Sequence, residues 1–272
     1  METVQAQRDR KVYALGKEFV LDLGVVTPET LEEHLSHSGD ERPDSTLAGI
    51  YRHLLGSAQS PNMSPNVIGQ AIGGIDKLDA VLGGFEPTAV MEKYGSNWEA
   101  VLGDIITQLR PQGKIRRSPR SLWPRFCKTI TSGAEFLAQF KDASDFYEWV
   151  DLFDQDDRVR PALPMLLSYE IDGFGFPVAC DFLMVLGYSN FAKPDVHLKK
   201  IFVALGLCSS EDDYQIFRAV LRVARNVGVT PYNVDQVFWL IGSGNFHFVG
   251  VKIDRNRDKF IEYAKEYLQT QD

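Results

Sequence analysis

Between Pro161 and Leu205 the chain carries two apolar helical stripes joined by a turn with two glycines, then an aspartate directly behind a proline. Leu163, Leu166 and Leu167 lead into Ile171, and Val178, Phe182, Val185 and Leu186 lead out, each set at the three- and four-residue spacing of one helical face. The segment Ile171-Asp172-Gly173-Phe174-Gly175-Phe176-Pro177 leaves room only for a tight turn, so the two helices must fold back and pack face to face. Gly173 and Gly175 are expected to adopt conformations barred to residues with a Cβ, leaving N–H groups aimed outward with the dipole of the next helix behind them. Such groups suit a phosphate. A Gly-x-Gly between helices is also common as a turn with no further role.

The same helical period runs through most of the chain. Leu31 and Leu35, then Leu47, Ile50, Tyr51, Leu54 and Leu55, fall on i, i+3, i+4 stripes, with Thr27-Pro28-Glu29 as a cap and first turn. Further helices are predicted over 64–73, 75–83, 87–94, 97–109, 121–139, 143–153, 162–171, 177–187, 195–205, 210–227, 233–241 and 254–269. Two-residue alternation is scarce, and its best example, 247–251, reads either as a short strand or as a buried connector. The fold class expected is therefore all-α. A chain of 272 residues with 44% hydrophobic side chains can bury one large core or two lobes sharing a cleft. Three segments are expected: N-terminal helices over 1–60, a helical lobe over 61–160, and the glycine hairpin with its aspartate over 161–272. Chain crossings between lobes are expected near 56–64 and 155–160.

Cys127, Cys180 and Cys208 stand far apart, which supports no disulfide framework, zinc knuckle or iron–sulfur loop. His34, His37, His53 and His247 share no ligand spacing with carboxylates or cysteines, so no metal is expected. The first ten residues lack the apolar core of a signal peptide, and no run approaches the length of a membrane span. The expected location is cytoplasmic, nucleoid-associated in a prokaryote.

A net charge of −8 argues at face value against nucleic acid, because phosphate binding needs cations to displace condensed counterions. The local field is another matter. From Ile105 to Lys128 there is no acidic residue, while Arg110, Lys114, Arg116, Arg117, Arg120, Arg125 and Lys128 supply seven cations. Pro111, Gly113, Pro119 and Pro124 make much of this stretch irregular. It reads as a basic face on an acidic body, or as a solvated loop.

Asp195 follows Pro194 and precedes Val196, Leu198, Ile201, Phe202 and Leu205, the signature of a helix N-cap. Capping accounts for most such aspartates. A capped carboxylate is also rigid, as an electrostatic partner of a developing cation must be.

Taken together, the hairpin glycines and the Asp195-Val196-His197 opening of the next helix resemble the helix-hairpin-helix DNA glycosylases. The motif covers some 45 residues, with a looser similarity in helix order over roughly 60–245. The resemblance implies a two-lobed helical bundle with an active-site cleft between lobes, acting as a monomer on double-stranded DNA. It implies Asp195 as the catalytic residue, hydrolysis of the N-glycosidic bond of an extruded base, and a pocket to receive that base. By the same resemblance Gly173, Gly175 and His197 lie at the DNA backbone; Phe174 between the glycines, Lys199 beside the aspartate, and Arg116, Arg117 and Arg120 of the acid-free stretch are the further candidates for DNA contact. A structural alkali ion on hairpin carbonyls is compatible with the family; no other cofactor is implied.

One departure bears on mechanism. Bifunctional relatives carry a lysine just after the hairpin as an amine nucleophile, and this chain has Pro177 there. The resemblance then implies a monofunctional enzyme that uses water. Lys193, Lys199 and Lys200 flank Asp195, so a strand-nicking lyase with a displaced lysine stays open, as does a non-catalytic DNA-binding module. For the base pocket or an intercalating wedge the candidates are Asn62, Asn66 and Gln70 at a helix start, Trp123 in the basic stretch, and Trp239 with Asn245 near the end of the fold. Asn66 and Gln70 are one turn apart and carry amides that both donate and accept. Trp123 with Phe126 serves either to stack on an unpaired base or to anchor its helix in the core.

Overall fold

The computed structural model describes residues 3–36, 42–59 and 67–269. In chain order these form α1 (Val4–Asp22), α2 (Pro28–Ser36), α3 (Leu47–Ala58), α4 (Val67–Ile72), α5 (Asp79–Leu82), α6 (Pro87–Tyr94), α7 (Trp98–Asp104) and α8 (Leu122–Leu137). There follow α9 (Ala143–Asp154), α10 (Ala162–Glu170), α11 (Phe176–Val185), α12 (Val196–Ala204), α13 (Asp213–Val227), α14 (Pro231–Ser243), β1 (Asn245–Phe246), β2 (Val251–Lys252) and α15 (Arg257–Gln269). The fold is all-α, as the periodicity predicts. The alternating stretch 247–251 is not a strand of its own: His247–Val249 winds into a 3-10 turn, Gly250 reverses the chain at φ 68°, and only Asn245 and Phe246 pair with Lys252 and Val251. None of the described helices is long and apolar enough to cross a membrane.

Two compact units form, Met1–Glu41 with Gly187–Asp272, and Arg42–Leu186. These bounds differ from the three segments drawn in sequence order. The helices over 1–60 do not stay together, since α1 packs on α13 and α14 while α3 packs on α8 and α11. The glycine hairpin, formed by α10 and α11, belongs to the second unit, and Asp195 to the first.

In the first unit the core gathers around Phe238, whose ring meets Tyr13 at 6.4 Å, Phe202 at 5.6 Å and Phe260 at 6.0 Å. The longest helix, α1, went unread in the sequence because its buried face includes Asp9 and Gly16 among Val12, Tyr13, Leu15 and Val20. Asp9 is fully buried and accepts from Arg222 Nε at 2.9 Å, Asn226 Nδ2 at 2.7 Å and Gln5 Nε2 at 2.9 Å, so its charge is compensated on several sides.

In the second unit α8 is the central strut, packed on α3, α6 and α7. Gly133 lets α3 approach closely: a Cβ there would lie 3.0 Å from Leu54 Cδ2. Tyr51, fully buried on α3, donates its hydroxyl to the Ile130 carbonyl at 2.6 Å. Phe146 and Trp149 of α9 meet Phe140 in edge-on and tilted pairs, and Phe146 reaches Phe182 of α11 at 6.3 Å.

Candidate functional site

In the first unit, Asp195 sits with extended backbone (φ −81°, ψ −179°) and caps α12. Its Oδ1 accepts both the His197 amide at 2.8 Å and the Leu198 amide at 3.0 Å, while Oδ2 accepts no hydrogen bond among the described residues. One oxygen therefore fixes the carboxylate and the other is available to a ligand. The side chain is half-buried.

His197, expected at the surface, is instead 8% exposed. Its ring lies on Gly242 of α14, where a Cβ would come within 2.4 Å of His197 Cγ, and its buried Nδ1 has no hydrogen-bond partner. Burial pushes the imidazole pKa below its usual value, Asp195 opposes that shift, and Arg257 and Arg255 reinforce it. A buried ring is a scaffold for Asp195 rather than a phosphate contact. Lys199 is ion-paired with Asp213, and Lys200 with Glu211 at 2.7 Å, so both lysines after the aspartate are already partnered by acids.

In the second unit, Gly173 has φ 85°, the left-handed region, and a Cβ there would meet Thr129 Oγ1 at 2.6 Å. This glycine is required twice over, by conformation and by space. Gly175 is not. It caps α11 with φ −104° and ψ 166°, backbone that any residue adopts, and a Cβ would meet only Pro177 Cδ at 3.7 Å. The expectation held for both glycines thus applies to Gly173 alone, because the reversal is completed there and the chain is already extended when it enters α11.

Both glycines are exposed, and neither amide is hydrogen-bonded among the described residues. Phe174 between them points inward, 6% exposed, against Phe182 at 6.0 Å, and its amide donates to the Ile171 carbonyl at 3.1 Å. Its ring anchors the turn and is not offered to DNA. Pro177 lies in the first turn of α11.

Sequence reasoning missed the brace behind the turn. Thr129 of α8 donates to the Asp172 carbonyl at 2.6 Å, and Ser132 Oγ accepts the Asp172 amide at 2.9 Å. A threonine and a serine within a helix carry no distinguishing signal, since their partner lies 40 or more residues away.

α8 also ties the basic stretch to the hairpin. Arg125 lies in its first turns, and the Arg125 carbonyl is 3.8 Å from the Cβ position of Gly173. Arg116, Arg117 and Arg120 are exposed in the loop before α8 and form no ion pair among the described residues. Lys128 turns away, over the Trp98 ring at 5.7 Å.

Of the pocket and wedge candidates, Asn62 and Asn66 lie outside the described residues. Gln70 is exposed on α4. Trp123 is 6% exposed and edge-on to Phe126 at 6.5 Å, which makes it a core anchor rather than a stacking platform. Trp239 is half-buried and edge-on to His247 at 5.7 Å, while Asn245 opens β1 with its amide on Ser243 Oγ at 3.1 Å. No group of three or more His, Cys, Asp or Glu side chains is placed to hold a metal ion among the described residues.

A solved structure is similar in fold. It is the Methanocaldococcus jannaschii 8-oxoguanine glycosylase/lyase in complex with a 15mer DNA containing 8-oxoguanine, with a TM-score of 0.52 at 14% identity over 83% of this chain and 96% of that one. At that identity the likeness is one of fold. No protein-family profile matches the chain, and no curated protein sequence does.

Proposed function

We propose that the chain is a DNA glycosylase that removes an extruded base by hydrolysis, with Asp195 as its catalytic carboxylate. The observation that carries this reading is the division of labour in Asp195: Oδ1 is locked by two amides while Oδ2 remains uncommitted. As the N-glycosidic bond lengthens, positive charge grows on the deoxyribose, and a fixed carboxylate stabilises it without reorganising. The same carboxylate orients a water for attack at the anomeric carbon and accepts its proton as the new C–O bond forms. The base leaves with the bonding electrons and takes up a proton.

Gly173 and Gly175 offer outward amides to a backbone phosphate, with Arg116, Arg117, Arg120 and Arg125 adding the cations that the acidic body lacks. Pro177 has no amine where a lyase nucleophile would stand, which supports a water-using, monofunctional enzyme. The fold shared with a glycosylase/lyase solved on DNA supports DNA as substrate.

The test is Asp195→Asn on duplexes carrying single lesions, 8-oxoguanine among them, read as alkali-labile sites. Abasic-site formation is expected to fall on the order of 10²- to 10⁴-fold while duplex affinity holds or rises. An unchanged yield overturns the mechanism and leaves a DNA-binding module. Borohydride trapping of a protein–DNA adduct would identify a lyase instead.

A further inference from the structure

Helix α10 is apolar on two sides, and the core of the second unit uses one of them. Leu163 and Leu167 are fully buried where α10 packs on α8, α9 and α11. Leu166, whose spacing predicts packing inside the hairpin, is instead 39% exposed, with Met165 at 44% and Tyr169 at 87%. Together with exposed Ala162 these residues stand at i, i+3, i+4 and i+7, the positions of one helical stripe. The stripe also extends backward. Ala162 donates its amide to the Val159 carbonyl at 2.8 Å, so the chain enters α10 through a helical turn, and Val159 is again exposed. From Val159 to Tyr169 the stripe runs about 15 Å, at a rise of about 1.5 Å per residue. Scattered apolar residues on a surface need no explanation, whereas a contiguous stripe on a helix already packed on its other side marks an interaction surface.

Charge says what covers it. Residues 141–172 carry nine acids and three bases, so this stretch holds most of the chain's net −8. Asp156 and Asp157 precede the stripe, and Glu170 and Asp172 follow it. The arginines of the entry turn are themselves ion-paired, Arg158 with Asp156 and Arg160 with Asp154 and Asp157. A phosphate backbone or an anionic lipid surface would therefore meet like charge at both ends. A second copy laid stripe to stripe would set acids against acids in either direction. A helix whose apolar face is flanked by lysines or arginines satisfies the stripe and the ends together. The surface is also preformed: Arg160 is 6% exposed and clamps the turn that leads into α10, so little ordering is left for a partner to impose.

We propose that the outer face of α10 docks a basic amphipathic helix of a partner protein, with Met165, Leu166 and Tyr169 as the apolar contact and the flanking acids pairing with the partner's cations. The proposal does not depend on which reaction the chain performs.

The probe is a synthetic peptide of about 18 residues, five turns of helix, with leucines at this same spacing and lysines on either side. Its controls keep the composition in scrambled order, or replace each lysine by glutamate. Titrated into the full chain and followed by amide NMR, the ordered lysine peptide is expected to shift resonances of α10 and of residues 154–159, and both controls to bind at least about tenfold more weakly. Met165→Ser combined with Tyr169→Ser should weaken the ordered peptide at least about tenfold and leave thermal stability near the parent value, because both side chains are exposed. Glu170→Lys should weaken it at least about threefold without touching the stripe.

Equal binding of the scrambled peptide, or shifts confined to other elements, overturns the proposal. Sedimentation that shows a dimer of the full chain, dissolved by the double variant, assigns the stripe to a second copy and overturns it as well. So does a double variant that loses duplex affinity, which would place the stripe against nucleic acid.

Discussion

Gly173 and Gly175 stand two residues apart, yet the backbone makes different demands on them. Gly173→Ala places a Cβ in a left-handed conformation and against Thr129 Oγ1, at an expected cost of about 2–3 kcal/mol in unfolding free energy, whereas Gly175→Ala should change stability by less than about 0.5 kcal/mol. Urea denaturation of the two variants decides it, and equal losses would refute the assignment. His197 makes a second prediction at this scale. Burial holds its folded pKa below the ordinary 6.5, so below pH 6.5 the unfolded chain binds the proton more readily than the folded one. Stability is therefore fully present above pH 6.5 and is lost as pH falls through the window between 6.5 and the depressed folded value. His197→Leu should flatten that slope in denaturation midpoints measured between pH 7.5 and pH 5. A slope that survives the substitution assigns the pH dependence to other groups.

At the scale of elements, α8 braces the hairpin and α1 is tied to α13 through side chains that hydropathy does not mark. Thr129→Val preserves shape and removes the hydroxyl that donates to the Asp172 and Arg125 carbonyls, and it should cost about 1–2 kcal/mol while raising hydrogen exchange in the hairpin. Unaltered exchange would show that the turn needs no brace. Asp9→Ala removes the acceptor shared by α1 and α13. Because Arg222 remains 35% exposed, the loss should be about 2–4 kcal/mol rather than the larger penalty of a fully buried pair. Helix α1 shows why part of the fold was illegible. A buried stripe that spends two positions on Asp9 and Gly16 reads as polar and broken until the partners Arg222, Asn226, Val237 and Phe238 are known.

At the scale of the whole molecule, the proposed binding to duplex sets local charge against a net −8. Replacing Arg116, Arg117 and Arg120 together by Gln should weaken duplex affinity and lower the slope of log Kd against log salt by about 2.7, taking about 0.9 per phosphate contact. Fluorescence anisotropy across a salt series measures both, and an unchanged slope removes the basic loop from the interface. Single-turnover excision at saturating enzyme should stay near the parent value, since the role proposed for these arginines is binding and not reaction.

Sequence alone determined the all-α class, the hairpin between two apolar stripes and the cap at Asp195, because helical period, glycine and capping are local physics written within a few residues. It also marked the acid-free stretch that carries the cations. Tertiary structure decided which glycine the turn needs, by placing Thr129 against one and open space beside the other. It turned His197, Phe174 and Trp123 inward, and it left Leu166 of the hairpin stripe facing outward. Those outcomes depend on which surfaces meet across long sequence separations, and hydropathy at a single position carries no record of its neighbours in space.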